Sequence, residues 1–246
     1  MRLKAIICQV LSREFEQAIA RSPHSIELEI LPMGLHDYGV AMRPRIQQQI
    51  DASDASGFDA ILLGYALCGR GTDGLTAGIT PLVLPRAHDC IGILMGGRRT
   101  HERYFENHPG VYYRSPGWIE FQKSGRNLEP AWAVARNSMG ERRSREELIQ
   151  QYGEENGAFL YEQFTAYRRA YSGLTYISTG VPSDAVCREQ ARAEAAANHW
   201  VFEDVQGSTC LIENLVNGEW SLDDFLVVPS GSSIRATLDE RVVVAT

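Results

Sequence analysis

Short apolar runs alternate with amphipathic runs through the first hundred residues, and that alternation narrows the fold more than any other feature. "LKAIIC" ends at Cys8 and gives way to "SREFEQAIARS", which has helical spacing with Ser12 as a candidate cap. "SIELEILP" alternates strictly, as a half-buried strand does, and a helix candidate spans Pro44 to Ala55. "FDAILLG", ending at Gly64, and "TPLVLP" have the composition of buried strands, and "DCIGILMG" then begins a helix. This pattern predicts an α/β fold: a mainly parallel sheet with flanking helices in Rossmann-like layers.

The second half continues in the same style with less regularity. "GVYYRSPGWIEF" reads as strand then loop, and a helical region runs from Arg145 to Tyr171. "GLTYISTG" is a strand, Ser183 can cap the Ala-rich "DAVCREQARAEAAANH", and "WVFEDV" is a further strand. "STCLIENLVNGEW" reads as a short helix and "DDFLVVPSG" as a last strong strand. The 246 residues suffice for a single α/β domain over 1–246 or for two lobes, 1–110 and 111–246.

Charge and cysteine usage exclude several classes. A formal net charge of −7 argues against a nucleic-acid partner, which wants a basic face. No apolar run approaches the roughly 20 residues of a membrane helix, so no membrane partner is expected. "MRLKAIICQVL" is followed by acidic "REFEQ" and reads as a first strand, which makes a cytoplasmic protein the expectation. Five cysteines, an odd number with no CxxC, argue against a disulfide framework, a zinc ribbon or a thioredoxin motif.

Three of those cysteines fall where ligands bind. In open α/β sheets the site lies beyond the carboxyl ends of the strands. Cys8 ends the first strand, Cys68 follows "AILLGY", and Cys90 follows "LVLP" within "PRAHDCIGILMGG". As metal ligands, Cys8, Cys68 and Cys90 suit zinc with an open fourth position, or a [4Fe–4S] cluster with one open iron. His88 would be a fourth ligand or a base, and Asp89 would orient His88 or act as a base itself. The competing role for each cysteine is that of a small core hydrophobe, which is the expectation for Cys187 and Cys210.

Four residues are candidate substrate contacts: Tyr65, Arg70, Arg86 and Trp118. Tyr65 and Arg70 lie in the Gly-rich "GYALCGRGTDG", which would cradle an anion or simply turn tightly near a metal. Arg70 and Arg86 have the geometry to hold a carboxylate in a bidentate manner. Trp118, beside Tyr112, Tyr113 and Glu120, offers an aromatic wall for a methylated ammonium, with lobe packing as the alternative. Glu203, Asp204 and Ser178 to Gly180 also sit at strand ends. The remaining histidines show no shared spacing.

"IICQVLSREFE", "GYALCGRGTDGL", "PRAHDCIGILMGG", "YYRSPGWIE" and "FEDVQGSTCLIENLVNGEWSLDDFLVVPSG" occur in this order. Together they resemble the bacterial and archaeal family catalogued as domain of unknown function sixteen thirty-eight, over nearly the whole chain. The resemblance implies company with corrinoid-dependent methyltransferase systems for methylated amines. The order of His88 and Cys90 with a remote cysteine is also similar to the zinc motif of methylcobamide:thiol methyltransferases. Those enzymes are TIM barrels and this chain lacks eight βα units, so only the chemistry carries over. The expectation is a metal-dependent enzyme performing thiol or one-carbon methyl-transfer chemistry on a small-molecule substrate. Two alternatives stand beside it: a [4Fe–4S] lyase or dehydratase, and an accessory protein binding a metal, a corrinoid or a partner methyltransferase.

Overall fold

In the computed structural model, which describes residues 1–33, 35, 39–123 and 144–246, the first strand, β1 (Arg2–Cys8), is buried over Leu3 to Ile7. Such a run needs cover on both faces and neighbours on both edges. Both neighbours are parallel strands, β2 (Ser25–Leu31) and β3 (Ala60–Gly64), with Cys8 opposite Leu31 and Ile7 opposite Gly64. Beyond β3 lies parallel β4 (Leu82–Pro85). Alternate residues of β1 feed two cores: Leu3, Ala5 and Ile7 on one face, Ile6 on the other. The Ile6 face is covered by Met42, Ile46 and Ile50 of α2 (Gly39–Asp54), spaced four apart on one side of the helix. Opposite, α1 (Ser12–Ile19) contributes Phe15.

The mainly parallel α/β expectation holds, with the strands of the described residues divided among three sheets. Strands β5 (Val111–Arg114), β6 (Gly173–Ser178) and β7 (Val201–Gln206) form a second, all-parallel sheet. The chain then returns to the first sheet: β8 (Phe225–Val228) pairs antiparallel with β4. Short β9 (Ile234–Ala236) and β10 (Val243–Ala245) form an antiparallel pair. The first sheet is thus built from two separate stretches of chain, β1 to β4 and then β8, whereas β5 to β7 lie in the single stretch between them.

Several local expectations are corrected. Helix α3 (Cys90–Leu94) begins at Cys90 as expected, and α4 (Arg98–Asn107) follows it. The segment after β5 is a helix, α5 (Pro116–Lys123), where a loop was expected: proline is tolerated in a first turn because its missing N–H needs no partner there. The region from Arg145 onward is two helices, α6 (Arg145–Tyr152) and α7 (Glu154–Thr165), broken at Gly153, whose φ of 83° ends the first. Ser144 and Glu147 form a capping box on α6. Ser12 is not a cap. A 3₁₀ turn, Gln9–Leu11, precedes α1, and the Ser12 hydroxyl is buried without a partner. Helices α8 (Asp184–Ala197) and α9 (Cys210–Asn217) complete the set used below, and Ser183 precedes α8 without a side-chain capping bond. No helix of the described residues is long and apolar enough to cross a membrane.

The sheets meet at α1 and α5. Glu14, 1% exposed, accepts a 2.7 Å hydrogen bond from Thr179 Oγ1, just beyond β6. Its second carboxyl oxygen has no partner, and burial raises its pKa. A folded-state pKa above the unfolded value means this group favours folding most below the unfolded pKa. That contribution is lost as pH rises through the folded one. Glu14→Gln, which keeps the acceptor for Thr179 and removes the charge, should therefore raise stability at neutral pH by about 1 kcal/mol. It should also flatten the pH dependence above the ordinary carboxyl range. Urea titrations of both proteins between pH 4 and 8 read this directly.

Candidate functional site

Because β1, β3 and β4 are parallel neighbours, their carboxyl ends deliver three loops to one edge. Backbone hydrogen bonds stitch two of these loops together: Leu67 N–H donates to Ala87 O at 3.0 Å and Cys68 N–H to His88 O at 2.8 Å. The turn after β3 is sharp. Cys68 and Arg70 adopt φ of 45° and 69°, on either side of Gly69 at 61°. Left-handed backbone at non-glycine residues is costly and is held only where surrounding contacts over-determine it.

The result is a cavity of about 220 Å³ lined by Cys8, Cys68, Cys90, Tyr65, Asp89 and Trp118. Val10, Leu35, Met42 and Ile91 make the rest of its wall largely apolar. The structure thus brings together the three candidate ligand cysteines with two of the four candidate substrate contacts. Burial pushes the Cys8 thiol up to about 11 and the Cys68 thiol up to about 12. Burial raises Cys90 well above its ordinary value, and negative charge on Cys68, Asp89 or Cys8 raises it further. Burial therefore favours the neutral thiols at pH 7. Opposing this in part, the backbone at Val10 favours ionised Cys8, the backbone at Cys90 favours ionised Cys68, and the Trp118 side chain favours ionised Cys90. Tyr65 is 3% exposed, and its hydroxyl has no hydrogen-bond partner among the described residues. Among the described residues, no group of three or more His, Cys, Asp and Glu side chains is arranged to hold a metal ion. The three thiols share a wall; they do not form a closed coordination sphere.

His88 stands elsewhere. Its imidazole is half-exposed, with Nε2 3.8 Å from Glu102 Oε1, in an outer pocket shared with Arg70, Arg98 and Arg99. Asp89 does not orient it. The Asp89 carboxylate caps α3 by accepting the Gly92 N–H at 3.0 Å, and it lies 3.9 Å from His101 Nδ1. His101 is the residue that sequence reading missed. Its ring sits edge-on to Tyr113 at 5.6 Å, and its Nε2 is buried without a partner. Nothing in the spacing signals this, because α4 brings His101 back to Asp89 only after the chain has turned at Gly96 and Gly97.

The arginines have structural partners. Arg70 forms a 2.6 Å ion pair with Asp73. Arg86 donates to the carbonyls of Leu222 and Phe225, each at 3.0 Å, and to those of Arg241 and Val243. It thereby ties β8 and β10 together and faces no substrate in the cysteine cavity. Of the aromatic wall, Trp118 lines the cavity, whereas Tyr112 packs against Tyr171 and Trp200 at 5.1 and 5.6 Å. Glu120 pairs with Arg13, Asp204 with Arg188, and Glu203 accepts from the Tyr104 hydroxyl. Ser178 donates to buried Asp184 at 2.7 Å. Cys187 is buried in the second-sheet core as expected, but Cys210 is exposed at the start of α9.

Comparison with known proteins gives one match. The profile of the family described as "Protein of unknown function (DUF1638)" matches residues 30–216. No curated protein and no solved structure matches the chain. The matched span includes Tyr65, Cys68, Asp89, Cys90 and Trp118; Cys8 on β1 and the strands from β8 onward lie outside it. The chain belongs to the DUF1638 family.

Proposed function

We propose that the Cys8–Cys68–Cys90 cavity is the site of a metal-dependent enzyme of thiol or one-carbon chemistry, with zinc as its ion. The observation that supports this reading is the delivery of three thiols from three neighbouring parallel strands to one small cavity. Three thiolates with an open fourth position suit zinc, which would act as a Lewis acid on a substrate thiol or water. The sulfurs would have to draw together around the ion and lose their protons, so binding would release protons and weaken at low pH. The chain's own contribution would be to exclude water with Val10, Met42 and Ile91, while the groups named above offset part of the cost that burial places on ionised sulfur. Asp89, backed by His101, is the acid–base group of the cavity wall, and His88 serves the outer pocket. The same donors would serve a [4Fe–4S] cluster. A corrinoid protein or a partner methyltransferase would suit a methyl-transfer role in the cytoplasm.

Metal analysis of anaerobically purified protein, with its visible spectrum, tests this. About one zinc per chain without colour is the expected result; iron and sulfide with brown absorption would replace zinc by the cluster. Protein that binds neither, even after reconstitution, would overturn the reading. The double variant Cys187→Ala, Cys210→Ala should keep the full metal complement, because neither residue lines the cavity. Stoichiometric metal loss from that variant, while still folded, would contradict this assignment.

A further inference from the structure

We propose that the cysteine cavity selects a small uncharged ligand with an apolar body and one hydrogen-bond acceptor directed at Tyr65, and that it rejects anions. This specifies the substrate class of the site proposed above and rests on that cavity being the site, but not on the identity of any metal.

The argument is one of size, charge and one unmet hydrogen bond. A volume of about 220 Å³ falls below the roughly 300–1,000 Å³ of pockets that take drug-sized ligands. A ligand smaller than drug-sized is what a cavity of this volume suits. Among the described residues, none lining it carries a positive charge. The nearby guanidinium of Arg70 is turned to Asp73, and that of Arg86 is spent on backbone carbonyls. A carboxylate or phosphate entering here would be stripped of water with no counter-charge among the described lining residues, which is costly. A neutral molecule avoids that penalty.

Tyr65 supplies the polar feature. A hydroxyl on a residue 3% exposed should have a partner, and this one has none among the described residues. Tyr65 lines the cavity together with Cys8 and Cys68. A ligand acceptor such as a carbonyl or ether oxygen would complete it, leaving the rest of the molecule against Leu35, Met42 and Trp118.

Charge-selective alkylation of the metal-free protein tests this. Iodoacetamide is neutral with a carbonyl acceptor, and iodoacetate is its anionic near-isostere. In each case sulfur displaces iodide, a C–S bond replaces C–I, and the thiol proton goes to the buffer. Peptide mass spectrometry reads Cys8, Cys68 and Cys90 separately, with exposed Cys210 as the internal standard. Relative to Cys210, the cavity cysteines should prefer iodoacetamide by at least about a hundredfold. Tyr65→Phe should lower the iodoacetamide rate there by about three- to tenfold and leave Cys210 unchanged. Equal use of both reagents, faster labelling by a trimethylammonium thiosulfonate than by its neutral methyl analogue, or no cavity labelling by any reagent in the folded protein would each overturn the proposal. Loss of the zinc reading would leave these rates untouched, so the two failures are separable.

Discussion

Gly117→Ala should destabilise the protein by about 3 kcal/mol or more, at the upper end of overpacking effects. A Cβ built at this position lies 1.9 Å from the carbonyl oxygen of Val10 and 2.7 Å from its carbonyl carbon. Both are backbone atoms of the turn that follows β1, so no rotamer change relieves the clash. Helix α5 must move away from the first sheet, and Trp118, the next residue, must leave the cavity wall with it. Urea denaturation measures the stability loss, and altered labelling of Cys8 and Cys90 reports the opened cavity. Gly69→Ala provides the contrast. No atom lies within 4 Å of its Cβ position, so only the left-handed backbone strain at φ 61° remains. A Gly117 variant as stable as wild type would mean that the α5 contact with Val10 is not tight.

Cys68→Ala should abolish tight metal binding, with affinity falling by well over the about 10- to 100-fold that loss of an outer-shell partner costs. Cys68 occupies the strained turn after β3, and its thiol shares the cavity wall with those of Cys8 and Cys90. Alanine tolerates the left-handed backbone no worse than cysteine, so the variant should fold. His88→Ala should leave affinity unchanged, because that imidazole faces Glu102 across the outer pocket. Asp89→Asn should fall between the two, losing about 10- to 100-fold. Competition titrations with a chromophoric zinc chelator rank all three. Should His88→Ala collapse binding in a folded protein, His88 becomes a ligand and the placement of the site is wrong.

The parts legible in the sequence were those set by local pattern. The unbroken apolar runs of β1, β3 and β4 announced strands buried on both faces, and helices between β1 and β3 agree with their parallel order, whereas β3 and β4 are parallel across a helix-free connection. Given that order, Cys8, Cys68 and Cys90 had to approach one sheet edge, since each lies at or just past a strand end. Direction and partner choice were not legible. Hydrophobic period gives the same signal for either strand direction, so the antiparallel return of β8 to β4 could not be read from "DDFLVVPSG". Proline and glycine suit both a loop and a first helical turn, which hid α5. His88 and Cys90 would share a face on a strand. Here Asp89 caps a helix instead, and the turn sends the imidazole outward. The substitutes for the expected contacts, His101 behind Asp89 and four carbonyls around Arg86, are tertiary pairings across 12 to 157 positions, beyond any local pattern.

X-ray absorption at the zinc edge of the zinc-loaded protein tests the central claim most directly, because it counts sulfurs around the ion. A first shell with three sulfur neighbours at about 2.3 Å and one lighter atom is the expected result. It should fall to two sulfurs in Cys68→Ala loaded at saturating zinc. A wild-type shell of oxygen and nitrogen alone, or a sulfur count that Cys68→Ala leaves unchanged, would contradict it.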